Sequence, residues 1–168
     1  MKKMTFALLL GFIVLVAVSS AQAQIPKEGT ETGISGYSGT FKTVAMGQER
    51  VLMTYEVLGV VISDTGEGIH HNASVRCVGS IQAIKGVYED GNNGFCVHTR
   101  PDGDQIFMTT KSSGALGRGS KGTYTLVGGT GKMTGIQGGG EFTEFPLRPA
   151  AEGTFQGYNR VKGQYKLP

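Results

Sequence analysis

The chain has 168 residues and a formal net charge of +3, with 28 glycines and no tryptophan. Most of this charge comes from Lys2 and Lys3, and no run of lysine or arginine follows, which excludes the electrostatic footprint of a nucleic-acid binder. Beyond the first 23 residues, apolar residues do not recur at helical spacing. Short alternating runs separated by Gly, Asp and Asn predict an all-β fold.

Residues 1–23 predict a secretory signal peptide. Lys2 and Lys3 precede an apolar run, and Ala21-Gln22-Ala23 fits the small-x-small pattern of a cleavage site. A single membrane anchor is the alternative, but the apolar run is short for a bilayer and ends in small polar residues. We therefore expect a secreted or periplasmic protein, cleaved near Ala23, whose mature chain does not insert into a membrane.

The mature chain begins with a polar stretch, residues 24–34, which predicts a flexible N-terminal arm. Residues 35–168 then suit one domain with a single core. A first strand starts at Gly36, and a second covers residues 51–61. The odd positions of the second strand are mostly apolar, so we expect them to face the core and Thr54 and Glu56 to face solvent.

The middle of the chain predicts three further strands and the turns between them. Asp102-Gly103 is a strong signal for a tight hairpin. The predicted elements are a strand over 69–84, a loop over 85–94, a strand over 95–100, a turn over 101–104, a strand over 105–111 and a flexible loop over 112–121.

Residues 122–145 predict a β-hairpin around a cluster of glycines. Tyr124 and Leu126 share one face before the turn, and Gly138-Gly139-Gly140 lie in the returning strand. Glycines inside a strand let a sheet bend or another backbone approach closely, as coiling into a barrel requires. A last strand over 153–167 has one apolar face. The total is about eight strands, the number that forms a small barrel, filled by side chains or holding one ligand.

The hairpin segment Leu126-Val127-Gly128-Gly129-Thr130-Gly131-Lys132-Met133-Thr134-Gly135, with Gly138 and Phe142 after it, resembles the GGTG/GGSG hairpin of the allene oxide cyclase and dirigent barrels. The resemblance implies an eight-stranded antiparallel β-barrel of the calycin-like type with an apolar lumen. Members of these families include a cyclase acting on an unsaturated fatty-acid epoxide and proteins that steer radical coupling of phenols. Their catalytic residues are not carried over to positions of this chain.

Cys77 and Cys96 are the only cysteines. A hairpin centred on the 85–94 loop sets them opposite each other, and in an oxidising compartment they predict a disulfide worth about 2–4 kcal/mol. A zinc site formed with His71 and His98 is the alternative. Its spacing matches no compact zinc motif, so we predict neither a metal nor another cofactor.

Three residues are candidate ligand contacts: Tyr55, Arg76 and His98. Arg76 points inward if the cysteines point outward, and it lies on the surface in the other register. Tyr55 lies on the apolar face of its strand, where a packed core tyrosine is the alternative. His98 has the pKa range of a general base, but the residues favour the alternative, an exposed strand histidine. His70 and His71 follow a glycine-rich turn and are expected to be solvated.

The function expected from these patterns is binding of a small, mainly apolar molecule in the lumen. A cofactor-free cyclase, isomerase or lyase is one alternative, with Tyr55, Arg76 or His98 steering the substrate. A structural envelope protein with a filled barrel and no ligand is another. The sequence leaves a homo-oligomer open and gives no sign of a nucleic-acid partner.

Overall fold

The computed structural model describes residues 25–168, so the predicted signal peptide and its cleavage site lie outside the described residues. No helix in this part of the chain is long and apolar enough to cross a membrane. A 3-10 turn, Gly131–Met133, lies between two of the strands. The strands are β1 (Glu28–Ala45), β2 (Arg50–Ser63), β3 (Ser74–Ile84), β4 (Val87–Thr99), β5 (Gln105–Ala115), β6 (Gly119–Gly129), β7 (Gln137–Leu147) and β8 (Thr154–Lys166).

The eight strands form one closed barrel in chain order, each antiparallel to both of its neighbours. β1 closes the sheet by pairing with β8. Gly39, in the middle of β1, lies opposite Val57 of β2 on one side and Phe155 of β8 on the other. The predicted all-β, eight-stranded antiparallel β-barrel is therefore confirmed, and no strand edge is left unpaired along this ring.

Side chains alternate between the interior and the outer face along each strand. On β2, Val57 lines the interior, whereas Leu58 is exposed on the outside. On β8, Tyr165 is buried in the core and Lys166 is exposed. This alternation confirms the predicted faces of both strands.

Glycines allow the closest approaches between β6, β7 and β8, as the hairpin sequence predicted. Gly138 has a φ of +131°, and a Cβ there would collide with the backbone oxygen of Gln164. On β8, a Cβ at Gly163 would collide with the hydroxyl of Tyr124 inside the barrel. The glycines thus serve both the backbone curvature and the packing of an interior tyrosine.

The predicted flexible arm is wrong from Glu28 onward. β1 begins there, and Glu28 lies opposite Lys166 of β8. The edge of β8 provides hydrogen-bond partners for this polar segment. Gly33 is buried there, and so is Ser35, directly after the segment. The barrel therefore includes residues 28–34, which the composition had placed in an arm outside the domain.

Two boundaries around β3 and β4 also differ from prediction. β3 begins at Ser74, because residues 69–73 form a turn. The predicted loop 85–94 is a turn at Lys85 and Gly86, which both adopt positive φ, 52° and 77°. Its remaining residues belong to β4, where Val87, Tyr88 and residues 92–94 pair with neighbouring strands and residues 89–91 form an irregularity.

The stretch 112–121, predicted as a flexible loop, is mostly strand. β5 and β6 continue to a short turn at 116–118. Ser112 and Ser120 are buried, and each hydroxyl takes part in a hydrogen bond inside the barrel. Small polar side chains therefore indicate interior polar contacts here rather than a solvated loop.

The hydrophobic core lies at one end of the barrel. It joins the turn between β2 and β3, the 3-10 turn and the ends of β5, β6 and β8. Its most buried members are Ile69, Ile106, Met133 and Ile136. This plug closes one end of the barrel and leaves the rest of the interior to the cavity described next.

Candidate functional site

The barrel encloses a cavity of about 740 Å³. At one end it reaches the β5–β6 turn and the loop after β7, where Leu116 and Pro149 line it. At the other end it stops at the hydrophobic plug. The shape is a cup with one closed end, deep enough for a small molecule.

Apolar side chains form most of the middle of this cup. They come from strands on all sides of the barrel, so the apolar surface surrounds the space. The lining in this zone includes Val57, Val61, Val75, Met108, Phe142 and Val161.

The predicted disulfide between Cys77 and Cys96 is confirmed. The residues are direct cross-strand partners with their Cα atoms 4.1 Å apart, and their bonded sulfurs belong to the cavity wall. Among residues 25–168 no cysteine is free, and no group of three or more His, Cys, Asp or Glu side chains is arranged to hold a metal ion. The cysteine side chains therefore point inward, which fixes the faces of β3 and β4.

Arg76 consequently lies on the outer face, so an interior position for it is wrong. Its side chain is 69 % exposed, and its Nε donates a hydrogen bond to Glu56 Oε1 at 2.8 Å. The neighbouring Val78 and Phe95 are exposed as well. Alternation along β3 forces this result once Cys77 faces the lumen.

Tyr55 faces the cavity, as expected from its strand. Its hydroxyl donates to Asn92 Oδ1 at 2.8 Å, and Asn92 Nδ2 donates to Ser112 Oγ at 2.9 Å. Burial, with a smaller contribution from the Glu144 carboxylate, raises the pKa of Tyr55 to about 12. Tyr55 thus contributes a neutral hydroxyl held by side chains of β4 and β5.

A carboxylate hydrogen-bonded by two hydroxyl groups lies in the same half of the cavity. Glu144 accepts hydrogen bonds from the hydroxyl of Tyr37 and, at 2.7 Å, from Ser120 Oγ. Burial and this hydrogen bond raise the pKa of Tyr37 far above its usual range. Sequence reasoning missed this group, although Glu144 shares a face with Phe142 by period two, and that spacing was the available signal.

A second polar group lies next to the hydrophobic plug. His70 and His98 line the cavity there, only 6 % and 7 % exposed, with ring centroids 4.8 Å apart in an edge-to-face arrangement. His70 Nδ1 lies 2.8 Å from Glu31 Oε1, which also accepts a hydrogen bond from the Tyr124 hydroxyl at 3.3 Å. Burial, and secondly His70, lowers the pKa of His98 well below its ordinary value.

The positions of His70 and Glu31 differ from prediction, and the role of His98 remains a prediction. His70 is buried rather than solvated, because the turn before β3 folds into the end of the barrel. Its partner Glu31 lies in the segment predicted as an arm. His98 faces the cavity, and contact with a ligand remains a prediction for it and for Tyr55. His71 lies outside this group, and its Nδ1 accepts a hydrogen bond from the Ser63 amide at 3.3 Å.

Two ring nitrogens of this group have no hydrogen-bond partner among the described residues. They are His70 Nε2 and His98 Nδ1, and both are buried. Buried polar atoms in proteins are nearly always hydrogen-bonded, so each such atom marks a place where a partner fits. The closed end of the cup is therefore polar and unsatisfied, whereas its walls are apolar.

Comparisons with known proteins identify no family for this chain. No family model matches the chain, and no curated protein matches it. A solved structure, that of the pterocarpan synthase dirigent protein GePTS1, is similar over 94 % of this chain and 100 % of that chain, with 11 % identity and a TM-score of 0.41. A likeness at this level does not extend to activity or ligand.

Proposed function

We propose that this protein binds a small, mainly apolar molecule in the lumen of its barrel. The cavity of about 740 Å³ carries this proposal. Ligand sites are typically clefts of about 300–1,000 Å³ with apolar walls and a few polar groups that orient the ligand. This cavity has apolar walls, one polar group near each end and a closed bottom. A structural barrel filled by its own side chains would leave no cavity of this size.

A cofactor-free isomerase, cyclase or lyase is the second candidate. Glu144 and Tyr37 face the same cavity and share a hydrogen bond, and a carboxylate beside a hydroxyl is a combination that supports general acid–base chemistry. Turnover needs a reacting atom within about 3 Å of such groups. Binding requires only the cavity, which is why we place it first.

Export is part of the proposal. A disulfide persists in oxidising compartments, so Cys77–Cys96 supports a secreted or periplasmic location after cleavage near Ala23. Mass spectrometry of the N terminus of the protein isolated from its source tests this point.

The binding proposal is tested with the fluorescent apolar probe N-phenyl-1-naphthylamine. Val57→Trp places an indole inside the lumen, whereas Val60→Trp places the same side chain on the exposed face of the same strand. We expect saturable binding by wild type and Val60→Trp, and a loss of at least about tenfold in affinity in Val57→Trp. Absence of saturable binding, or equal losses in two folded variants, would overturn the proposal.

A further inference from the structure

The closed end of the cavity carries an arrangement that the binding proposal does not use. His70 and His98 bring two imidazole rings together at the bottom of an apolar cup. Both rings are more than nine-tenths buried, and each keeps one nitrogen without a partner in the described part of the chain. Two unsatisfied polar atoms side by side are costly unless a ligand group satisfies them.

The contacts of Glu31 determine which protons these nitrogens carry. A carboxylate accepts hydrogen bonds, and Glu31 Oε1 receives one from Tyr124 and contacts His70 Nδ1 at 2.8 Å. His70 Nδ1 must therefore bear the proton of the neutral ring. His70 Nε2, on the opposite side of the ring, is then a hydrogen-bond acceptor. A base oriented by a third group in this way is the usual arrangement of a catalytic or ligand-binding histidine.

We propose that the His70–His98 pair is the docking point for a hydroxyl group of the ligand, whose proton His70 Nε2 accepts. This inference rests on the proposed lumen binding and names the ligand class: a mainly apolar body with a hydrogen-bond-donating hydroxyl at the end that enters first. His98 supplies the second polar contact beside it. The apolar body lies along the valines, Met108 and the disulfide.

Charge selects a hydroxyl over an acid at this position. The Glu31 carboxylate lies directly behind His70, and burial keeps His98 neutral. A ligand carboxylate arrives without a proton to donate, so it cannot satisfy the His70 Nε2 acceptor and would add a negative charge that no transferred proton offsets. A hydroxyl group makes the hydrogen bond without that repulsion.

A sufficiently acidic ligand hydroxyl transfers its proton fully to His70 Nε2. The ligand O–H bond breaks, an N–H bond forms at His70 Nε2, and the resulting imidazolium lies between the Glu31 carboxylate and the ligand oxyanion. The proton returns along the same path. The step needs no other reactant.

The matched probes 2-naphthol and 2-methoxynaphthalene test this inference, since a methyl group in the ether replaces the donated proton. 2-Naphthol becomes strongly acidic when excited and emits as naphtholate if a base accepts its proton. We expect wild type to bind 2-naphthol about three- to tenfold more tightly than the ether, the range that one hydrogen bond provides. The bound 2-naphthol should emit as naphtholate.

Three variants assign the acceptor. His70→Gln removes the base, and we expect the preference for 2-naphthol and the naphtholate emission both to be lost. Glu31→Gln should weaken the emission, because the amide no longer orients and stabilises the imidazolium. His71→Gln changes the adjacent residue, which lies outside this group, and should behave as wild type.

The outcomes separate this inference from the binding proposal. Equal affinity for both probes, with emission unchanged in a folded His70→Gln variant, overturns the hydroxyl site and leaves lumen binding intact. Binding of neither probe contradicts both. If His70→Gln does not fold, ¹⁵N NMR of labelled histidines in wild type decides: 2-naphthol must shift His70 Nε2 and leave His71 unchanged, and the reverse pattern overturns the inference.

Discussion

Cys77 and Cys96 face each other across β3 and β4 because β4 carries a bulge. Ile84 lies opposite Val87 at the turn, but Ile81 lies opposite Asn92, so β4 contributes two more residues than β3 between these pairs. Without that offset Cys77 would lie opposite Gly94. The bulge thus sets the register that allows the disulfide.

Removing this disulfide should destabilise the barrel without unfolding it. For Cys77→Ala with Cys96→Ala we expect a loss of about 2–4 kcal/mol in the free energy of unfolding, because the unfolded chain gains the entropy of the open loop. Urea denaturation of wild type and the double variant measures this loss. Wild type with reductant should show a similar shift, and an unchanged urea midpoint would contradict the structural role.

Adding one methyl group should be costly at Gly163 of β8 and harmless at Gly36, on the outer face of β1. A Cβ at residue 163 collides with the Tyr124 hydroxyl, whereas a Cβ at Gly36 of β1 meets nothing within 4 Å. We expect Gly163→Ala to lose about 1–3 kcal/mol of stability. Gly36→Ala, the control, should be neutral or gain up to about 1 kcal/mol. Equal effects in thermal unfolding would refute this packing.

Stability should fall in alkaline solution as the interior tyrosines ionise. The pKa of Tyr55 rises from 10.0 to about 12 on folding, so the folded state holds its proton more tightly than the unfolded state. The stability that this provides is complete below pH 10 and is lost as pH rises toward 12, by at most about 1.4 kcal/mol per pH unit. Tyr55→Phe should flatten this dependence in urea titrations. Tyr158→Phe, on the outer face, should not.

Acid should also weaken the barrel through His98. Its pKa in the folded state lies well below 6.5, so the unfolded state binds the proton more readily. The stabilisation is present above pH 6.5 and declines below it, by up to about 1.4 kcal/mol per pH unit. His70 is the titratable group that faces this ring, and Glu31 lies against His70. Urea midpoints at pH 7 and pH 5 should differ less in His98→Gln than in His71→Gln; an equal difference would contradict a buried neutral His98.

The sequence predicted the parts of this barrel that local patterns encode. Alternation along β2 and β8 identified the interior faces, and the glycines of β7 indicated curvature. The pairing of Cys77 with Cys96 was also predicted, although the turn lies at Lys85 and Gly86 and the register comes from the bulge in β4. These features depend on neighbours within one hairpin.

The interior polar groups depend on contacts distant in the chain and were therefore missed. Glu31 meets His70 only because β1 closes against β8 and the turn before β3 folds into the barrel end. Tyr37 of β1 meets Glu144 of β7, and these two strands flank β8 although they lie far apart in sequence. The inward orientation of the cysteines, which places Arg76 on the outer face, depends on a register that no local pattern determines.

The most direct test of a ligand-binding lumen is a crystal structure of the protein soaked with 1-bromonaphthalene, measured at the bromine absorption edge. We expect an anomalous peak inside the barrel, between Val57 and Val161 and above the His70–His98 pair. Bromine only on the outer surface, with side chains filling the lumen, would contradict it.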